Sequence, residues 1–156
     1  MQNKAQNQNE DQNENQNIAR PFARVIQKLR DAGLRPTRQR MALAKLLLDE
    51  EGPHRHVTAE SLYRETEQAN INISLATVYN SLHQFTDAGL LKEVVVDSRR
   101  TYFDTNISEH HHYFMVTDGH LEDVPDGVVN IDISPEVPPG KKFSRVEVII
   151  HVVDDI

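Results

Sequence analysis

Eight histidines and no cysteine among 156 residues direct any metal chemistry in this chain to imidazole, with no thiolate zinc site and no disulfide framework available. The histidines fall as the pair His54 and His56, the run His110-His111-His112, and the isolated His83, His120 and His151. Neutral imidazole is a first-choice ligand for zinc, iron and manganese near neutral pH. Residues two apart on a strand share a face, so His110 and His112 can clasp one ion while His111 points the other way. The isolated three read as packing or surface residues. A His/Asp metal-dependent hydrolase is the enzyme class such a cluster would suit. The chain carries no His-Glu-x-x-His, no Gly-x-Ser-x-Gly and no phosphate loop, so nothing supplies a base of defined geometry, and an enzyme is not expected.

A second constellation is cationic. In Gly33-Leu34-Arg35-Pro36-Thr37-Arg38-Gln39-Arg40 three arginines surround the start of a helix, where free amides and the helix dipole favour a phosphate. An exposed basic turn is the plainer reading of the same residues. Further on, Ser74-Leu75-Ala76-Thr77-Val78-Tyr79-Asn80-Ser81-Leu82 turns Leu75, Val78 and Leu82 inward and leaves Ala76, Thr77, Tyr79 and Asn80 nearer solvent. Such a face can read bases: a methyl against thymine methyl, Asn on adenine, a tyrosine ring over a thymine edge. Tyr79 could equally be a half-buried packing residue.

Positioning these groups requires four helices and then strands. Phe22, Val25, Ile26 and Leu29 share one helical face over residues 21–32, with Gly33 as a left-handed end. Thr37 caps a second helix carrying Met41, Ala44, Leu47 and Leu48, stopped by Gly52-Pro53. Thr58 caps a third with Leu62, Thr66 and Ala69 inward, and Ser74 caps the fourth. After Gly89, residues 91–96 and 101–104 form a hairpin around Asp97-Ser98-Arg99-Arg100. Short helices followed by a hairpin are the order of a winged helix-turn-helix, whose last helix enters the major groove. The back half predicts strands at 113–116, 120–124 and 146–153, with Pro135, Pro138, Pro139 and Gly140 excluding a long helix between them. The last strand is apolar enough to need a partner subunit as cover.

The formal charge of -7 argues against nucleic acid until its distribution is read. Residues 18–103 hold 13 Lys+Arg against 10 Asp+Glu, whereas 104–156 hold 3 against 11. A basic front and an acidic back suit a DNA reader joined to a cation-binding module. Residues 2–17 are nearly all Gln and Asn and read as a flexible tail. The expected organisation is therefore a tail at 1–17, a winged-helix domain at 18–104, and a small α/β dimerisation and sensing domain at 105–156, an α+β class. No apolar run approaches the ~20 residues of a membrane span, and a cytoplasmic protein is expected.

The stretches 33–40, His56-Val57-Thr58-Ala59-Glu60-Ser61-Leu62-Tyr63, Leu75-Ala76-Thr77-Val78-Tyr79, Gln84-Phe85 and Asp87-Ala88-Gly89 resemble the ferric uptake regulator family in order and spacing. The resemblance covers residues 20–124. It implies a homodimeric transcription regulator on a double-stranded operator, with Arg35, Thr37, Arg40, Ser74, Ala76, Thr77, Tyr79, Asn80 and Arg99 at the DNA. It implies a divalent metal (Mn, Fe or Zn) at His56, Asp104, His110 and His112, with Asp104 where a glutamate is more usual. The family's paired cysteines are replaced by Met115 and Asp118, so its structural zinc site is not expected. The triple histidine, the missing cysteines and the proline-rich insertion resemble the iron response regulator subgroup, Irr, which implies haem ligation through His110, His111 and His112. A manganese- or zinc-responsive repressor is the alternative.

Overall fold

The computed structural model describes residues 20–49, 52–132 and 136–156; the tail expected at 1–17, and Pro135, lie outside them. A 3-10 turn at Arg20–Phe22 precedes α1 (Ala23–Asp31), so the first helix starts two residues later than its apolar period suggests. Then follow α2 (Arg38–Leu47), β1 (His56–Val57), α3 (Ala59–Gln68), α4 (Leu75–Asp87), β2 (Lys92–Asp97), β3 (Arg100–Asp104), β4 (His112–Met115), β5 (Leu121–Asp123) and β6 (Ile149–Val152). The fold class is α+β: a winged helix followed by a second small sheet.

Local chemistry sets the helix ends. The hydroxyls of Thr37, Thr58 and Ser74 accept the N–H groups of Arg40, Ser61 and Thr77. Thr58 and Ser61 also complete a reciprocal capping box. At the other ends, Gly33 and Gly89 take positive φ, and the next residue donates five positions back, Leu34 to the Leu29 carbonyl and Leu90 to that of Phe85. Asn70, φ 54°, does the same work after α3 in place of glycine.

The four helices close over Val25, Leu29, Leu43, Leu62, Val78, Leu82 and Phe85, with Phe103 of β3 sealing the base. Each such burial contributes roughly 1.5–3 kcal/mol before entropy is counted. Thr66 is buried as the sequence predicts, but Ala69 is exposed, because α3 ends at Gln68 and the chain turns outward.

The wing sheet has the order β1-β3-β2, all antiparallel, and β1 was not foreseen: two residues are too few to show a period. The second sheet has the order β5-β4-β6, with β6 parallel to β4. β4 lies one residue earlier than its predicted run at the same length, and β5 and β6 are shorter than theirs. Among the described residues beyond Asp104, the only regular elements are these strands. Val94 and Tyr102 of the wing pack on Phe114 and Leu121 of the second sheet, so the two sheets share an apolar seam. The Tyr102 hydroxyl donates to the Gly119 carbonyl across it.

Candidate metal centre

The seam ends in a polar cluster. Register places His56 of β1 opposite Asp104 of β3 on the wing side, and His112 of β4 opposite Asp123 of β5 on the other. The link between the sheets is shaped by two side chains that each accept the backbone N–H two residues on: Asp104 from Asn106 at 2.8 Å, Asn106 from Ser108 at 3.1 Å. This folded link returns His110 to Asp104. One ligand atom each from His56, Asp104, His110, His112 and Asp123 then lies within 4.8 Å of all the others.

The three imidazoles present the same nitrogen. Nε2 of His56, His110 and His112 stands 3.1, 2.8 and 2.9 Å from Asp104 Oδ2, and 2.8, 3.1 and 3.6 Å from Asp123 Oδ1. Asp104 and His112 are wholly buried, while the Asp123 side chain is 35% exposed. Burial alone would raise the Asp104 carboxyl, but hydrogen bonds from His112, His56 and the Asn106 N–H hold it well below the usual carboxylate range. Burial alone would lower His56; bonding and attraction from Asp104, then Asp123, outweigh it and raise the ring above 6.5.

The donor set fits a divalent cation on tautomer grounds. His110 Nδ1 lies 2.7 Å from the Ser108 carbonyl, where only an N–H is favourable. A neutral His110 therefore aims a bare Nε2 lone pair at two carboxylate oxygens. A cation among them turns that repulsion into coordination, and two carboxylates balance its charge. Three nitrogens and two oxygens suit iron, manganese or zinc.

Of the four metal ligands that the resemblance implies, all four are brought together, and the shorter reach of Asp104 is met by its place directly opposite His56. Asp123 was missed. A two-residue turn at Asp118-Gly119 would set 123 against 114; the hairpin instead closes with Met115 bonded to His120 around residues 116–119, and this sets 123 against 112. The His110–His112 run divides, because His111 turns away and its Nδ1 accepts the Val148 N–H at 3.1 Å. His120 is exposed between Asp118 and Glu122 at 2.5 and 2.9 Å, and His83 and His151 lie edge-on to Phe103 and Phe114.

On α4, Ala76, Tyr79 and Asn80 are exposed and Thr77 is half-buried, its hydroxyl 2.9 Å from that of the capping Ser74. The Tyr79 hydroxyl donates to Glu60 of α3 at 2.5 Å, a partner that no sequence period announces. Arg35 and Arg99 are exposed. Arg40 is engaged within the protein: its guanidinium donates to Gln84 of α4 at 3.0 and 3.2 Å and to the Arg35 carbonyl at 3.0 Å. It therefore ties the arginine turn to α4, and the Thr37 hydroxyl is likewise taken by its cap.

Comparison with known proteins gives a consistent set of likenesses. The model of the ferric uptake regulator family matches residues 31–150. The peroxide-responsive repressor PerR of Staphylococcus aureus is 37% identical over 98 residues, which cover 63% of this chain and 64% of that protein. The chain thus spans just under two thirds of the length of that relative. The ferric uptake regulator of Pseudomonas aeruginosa, solved with manganese, is 26% identical, with a TM-score of 0.61 over 83% of this chain and 97% of its own. The Vibrio cholerae ferric uptake regulator shares the fold at 24% identity and TM-score 0.64, over 83% of this chain and 98% of that one.

Proposed function

The chain belongs to the ferric uptake regulator family, and from that premise we propose that it is a DNA-binding transcription repressor whose operator affinity is set by a divalent ion held by His56, Asp104, His110, His112 and Asp123. The observation that carries this reading is the origin of the five donors. Two come from the wing sheet and three from the link and hairpin of the second sheet, so one ion tethers both. When bound, the ion supplies a fixed positive centre that pulls donors from the two sheets into one geometry. His56 and Asp104 then hold the base of the winged helix in a set orientation to β4 and β5. The coupling between ion and DNA is a difference in ion affinity between wing orientations, and it works in both directions.

In this reading a homodimer, closed through the β6 edge, presents two α4 helices to a pseudo-palindromic operator. Ala76, Thr77, Tyr79 and Asn80 face the bases. Ser74, Arg35, Thr37, Arg40 and Arg99 serve the backbone, Arg40 and Thr37 by shaping the turn that presents Arg35. Among the described residues no helix is long and apolar enough to cross a membrane, and the proposed place of action is the cytoplasm.

The ion is favoured over haem as the signal at this cluster. His110 and His112 already direct Nε2 into it, which leaves His111 as the one imidazole of the run open to a porphyrin iron. The Irr-like reading thus narrows to His111. The S. aureus relative is a peroxide-responsive repressor, which adds peroxide as a signal to test. The deciding experiment is an operator gel shift with added Mn²⁺, then ferric haem, following the haem Soret band in the same samples. DNA binding that follows Mn²⁺ and is lost in His56→Ala supports the ion reading; binding indifferent to Mn²⁺ and released by stoichiometric haem overturns it.

A further inference from the structure

We propose that Glu147 is the outer partner of the ion cluster: it accepts the Nδ1–H of His112 when the ion is bound, and so draws the entry to β6 onto the site. This rests on the ion reading above and extends it to the strand expected at the subunit edge.

His112 is completely buried, and its two ring nitrogens face opposite ways. Nε2 points into the cluster, 2.9 Å from Asp104 Oδ2. Nδ1 has no hydrogen-bond partner, and 4.0 Å from it lies Glu147 Oε1, also buried and also without one. Buried polar atoms are almost always satisfied, and two orphans facing each other are rarer still. The other Glu147 oxygen has Arg145 at 3.8 Å, so Oε1 is the free acceptor. Glu147 stands on the far side of the ring from the ion position, so it orients the ligand and does not coordinate.

Tautomer chemistry explains the gap. While Nε2 faces a carboxylate at 2.9 Å, the ring proton belongs on Nε2, and Nδ1 offers a lone pair to Glu147. Two acceptors do not close. With Nε2 given to a cation, the neutral ring carries its proton on Nδ1, a donor directed at a waiting carboxylate. One proton leaves Nε2 and one arrives at Nδ1, with no net change. Closure to hydrogen-bond length moves the two atoms together by about 1 Å.

That movement has somewhere to go. Val148, next in the chain, accepts the His112 backbone N–H at 3.1 Å and donates its own N–H to His111 Nδ1 at 3.1 Å. The segment 147–148 is thus joined to 111–112 before β6 begins at Ile149, and among the described residues β6 has a partner strand on one side only. Ion occupancy is thereby read out at the edge of the second sheet. His110 has a neutral carbonyl in the corresponding place, so the carboxylate at His112 is the stronger outer partner.

The test is a Zn²⁺ titration against a chromophoric chelator on the full chain, its E147A and E147Q variants and H56A, with ¹⁵N spectra of the histidine rings. E147A is expected to lose about 10–100-fold in Zn²⁺ affinity, and E147Q, whose amide oxygen still accepts, to lose less. Zn²⁺ saturation of the unmodified chain should move the His112 proton from Nε2 to Nδ1. Without zinc the contact is open, so E147A should unfold close to the temperature of the unmodified chain; should E147A fail to fold, E147Q and the spectra still decide. Unchanged Zn²⁺ affinity in E147A, or a His112 that keeps its Nε2 proton under saturating Zn²⁺, overturns the inference. If H56A also keeps full affinity, the cluster is not the ion site and the reading it rests on falls too.

Discussion

Asp104 and Asp123 offer the same chemical group to the same three imidazoles, yet replacing each by asparagine should do different things. Asp104 is wholly buried, and its Oδ2 lies within 3.1 Å of all three Nε2 atoms, while the Asn106 N–H donates to its other oxygen. Removing one partner of a buried charged network costs about 3–5 kcal/mol. At about 2–4 °C per kcal/mol for a chain of this size, Asp104→Asn should lower the melting temperature of the metal-free protein by on the order of 10 °C. The Asp123 side chain is 35% exposed and screened by water, so Asp123→Asn should cost only about 0–1 kcal/mol without metal. With metal the two converge. Each variant lacks an anionic ligand, and each should lose at least the ~10–100-fold in Zn²⁺ affinity that an outer partner alone is worth. Thermal unfolding with and without saturating Zn²⁺, followed by circular dichroism, measures both effects. An Asp104→Asn protein that melts with the unmodified chain in chelator would refute the network argument. Equal metal-free losses in the two variants would refute the argument from burial.

The pH dependence of the metal-free protein should follow the same cluster. His56, raised, adds stability below 6.5 that is lost as pH climbs through its higher folded value, and Asp104, lowered, adds stability above 3.8 that is lost only as pH falls through its lower one. Melting in chelator should therefore peak between about pH 4 and 6.5, and a maximum in the alkaline range would contradict it. Zn²⁺ affinity should instead fall on acidification, beginning above the ordinary imidazole value, because protons compete for His56. Tyr79→Ala should abolish operator binding in a gel shift while leaving the melt almost unchanged, since the ring is 37% exposed; retained affinity would remove Tyr79 from the base-reading role. Phe114→Ala empties the seam beneath Val94, Tyr102 and Leu121 and the Arg100 guanidinium 5.0 Å above the ring. It should cost about 3–5 kcal/mol and speed amide exchange in both sheets, and exchange confined to β4 and β5 would show that the seam does not couple them.

Much of the frame is local and was legible from the chain alone. Hydroxyl caps at Thr37, Thr58 and Ser74, the left-handed ends at Gly33 and Gly89, and the 3.6-residue apolar period of α4 are each settled by a few neighbouring residues, so the helices and the exposed face of Tyr79 follow from sequence. The alternation that separates His111 from His110 and His112 is equally local. What sequence left open depends on partners distant along the chain. Asp123 becomes part of the cluster only through the register of the β4–β5 hairpin, Glu60 meets Tyr79 across nineteen positions, and Glu147 reaches His112 because β6 returns parallel to β4. Arg40 reads as a free cation until Gln84 is placed beside it. Sequence names the groups and the faces they share; strand pairing and the buried seam decide which carboxylates stand close enough to change what the imidazoles can do.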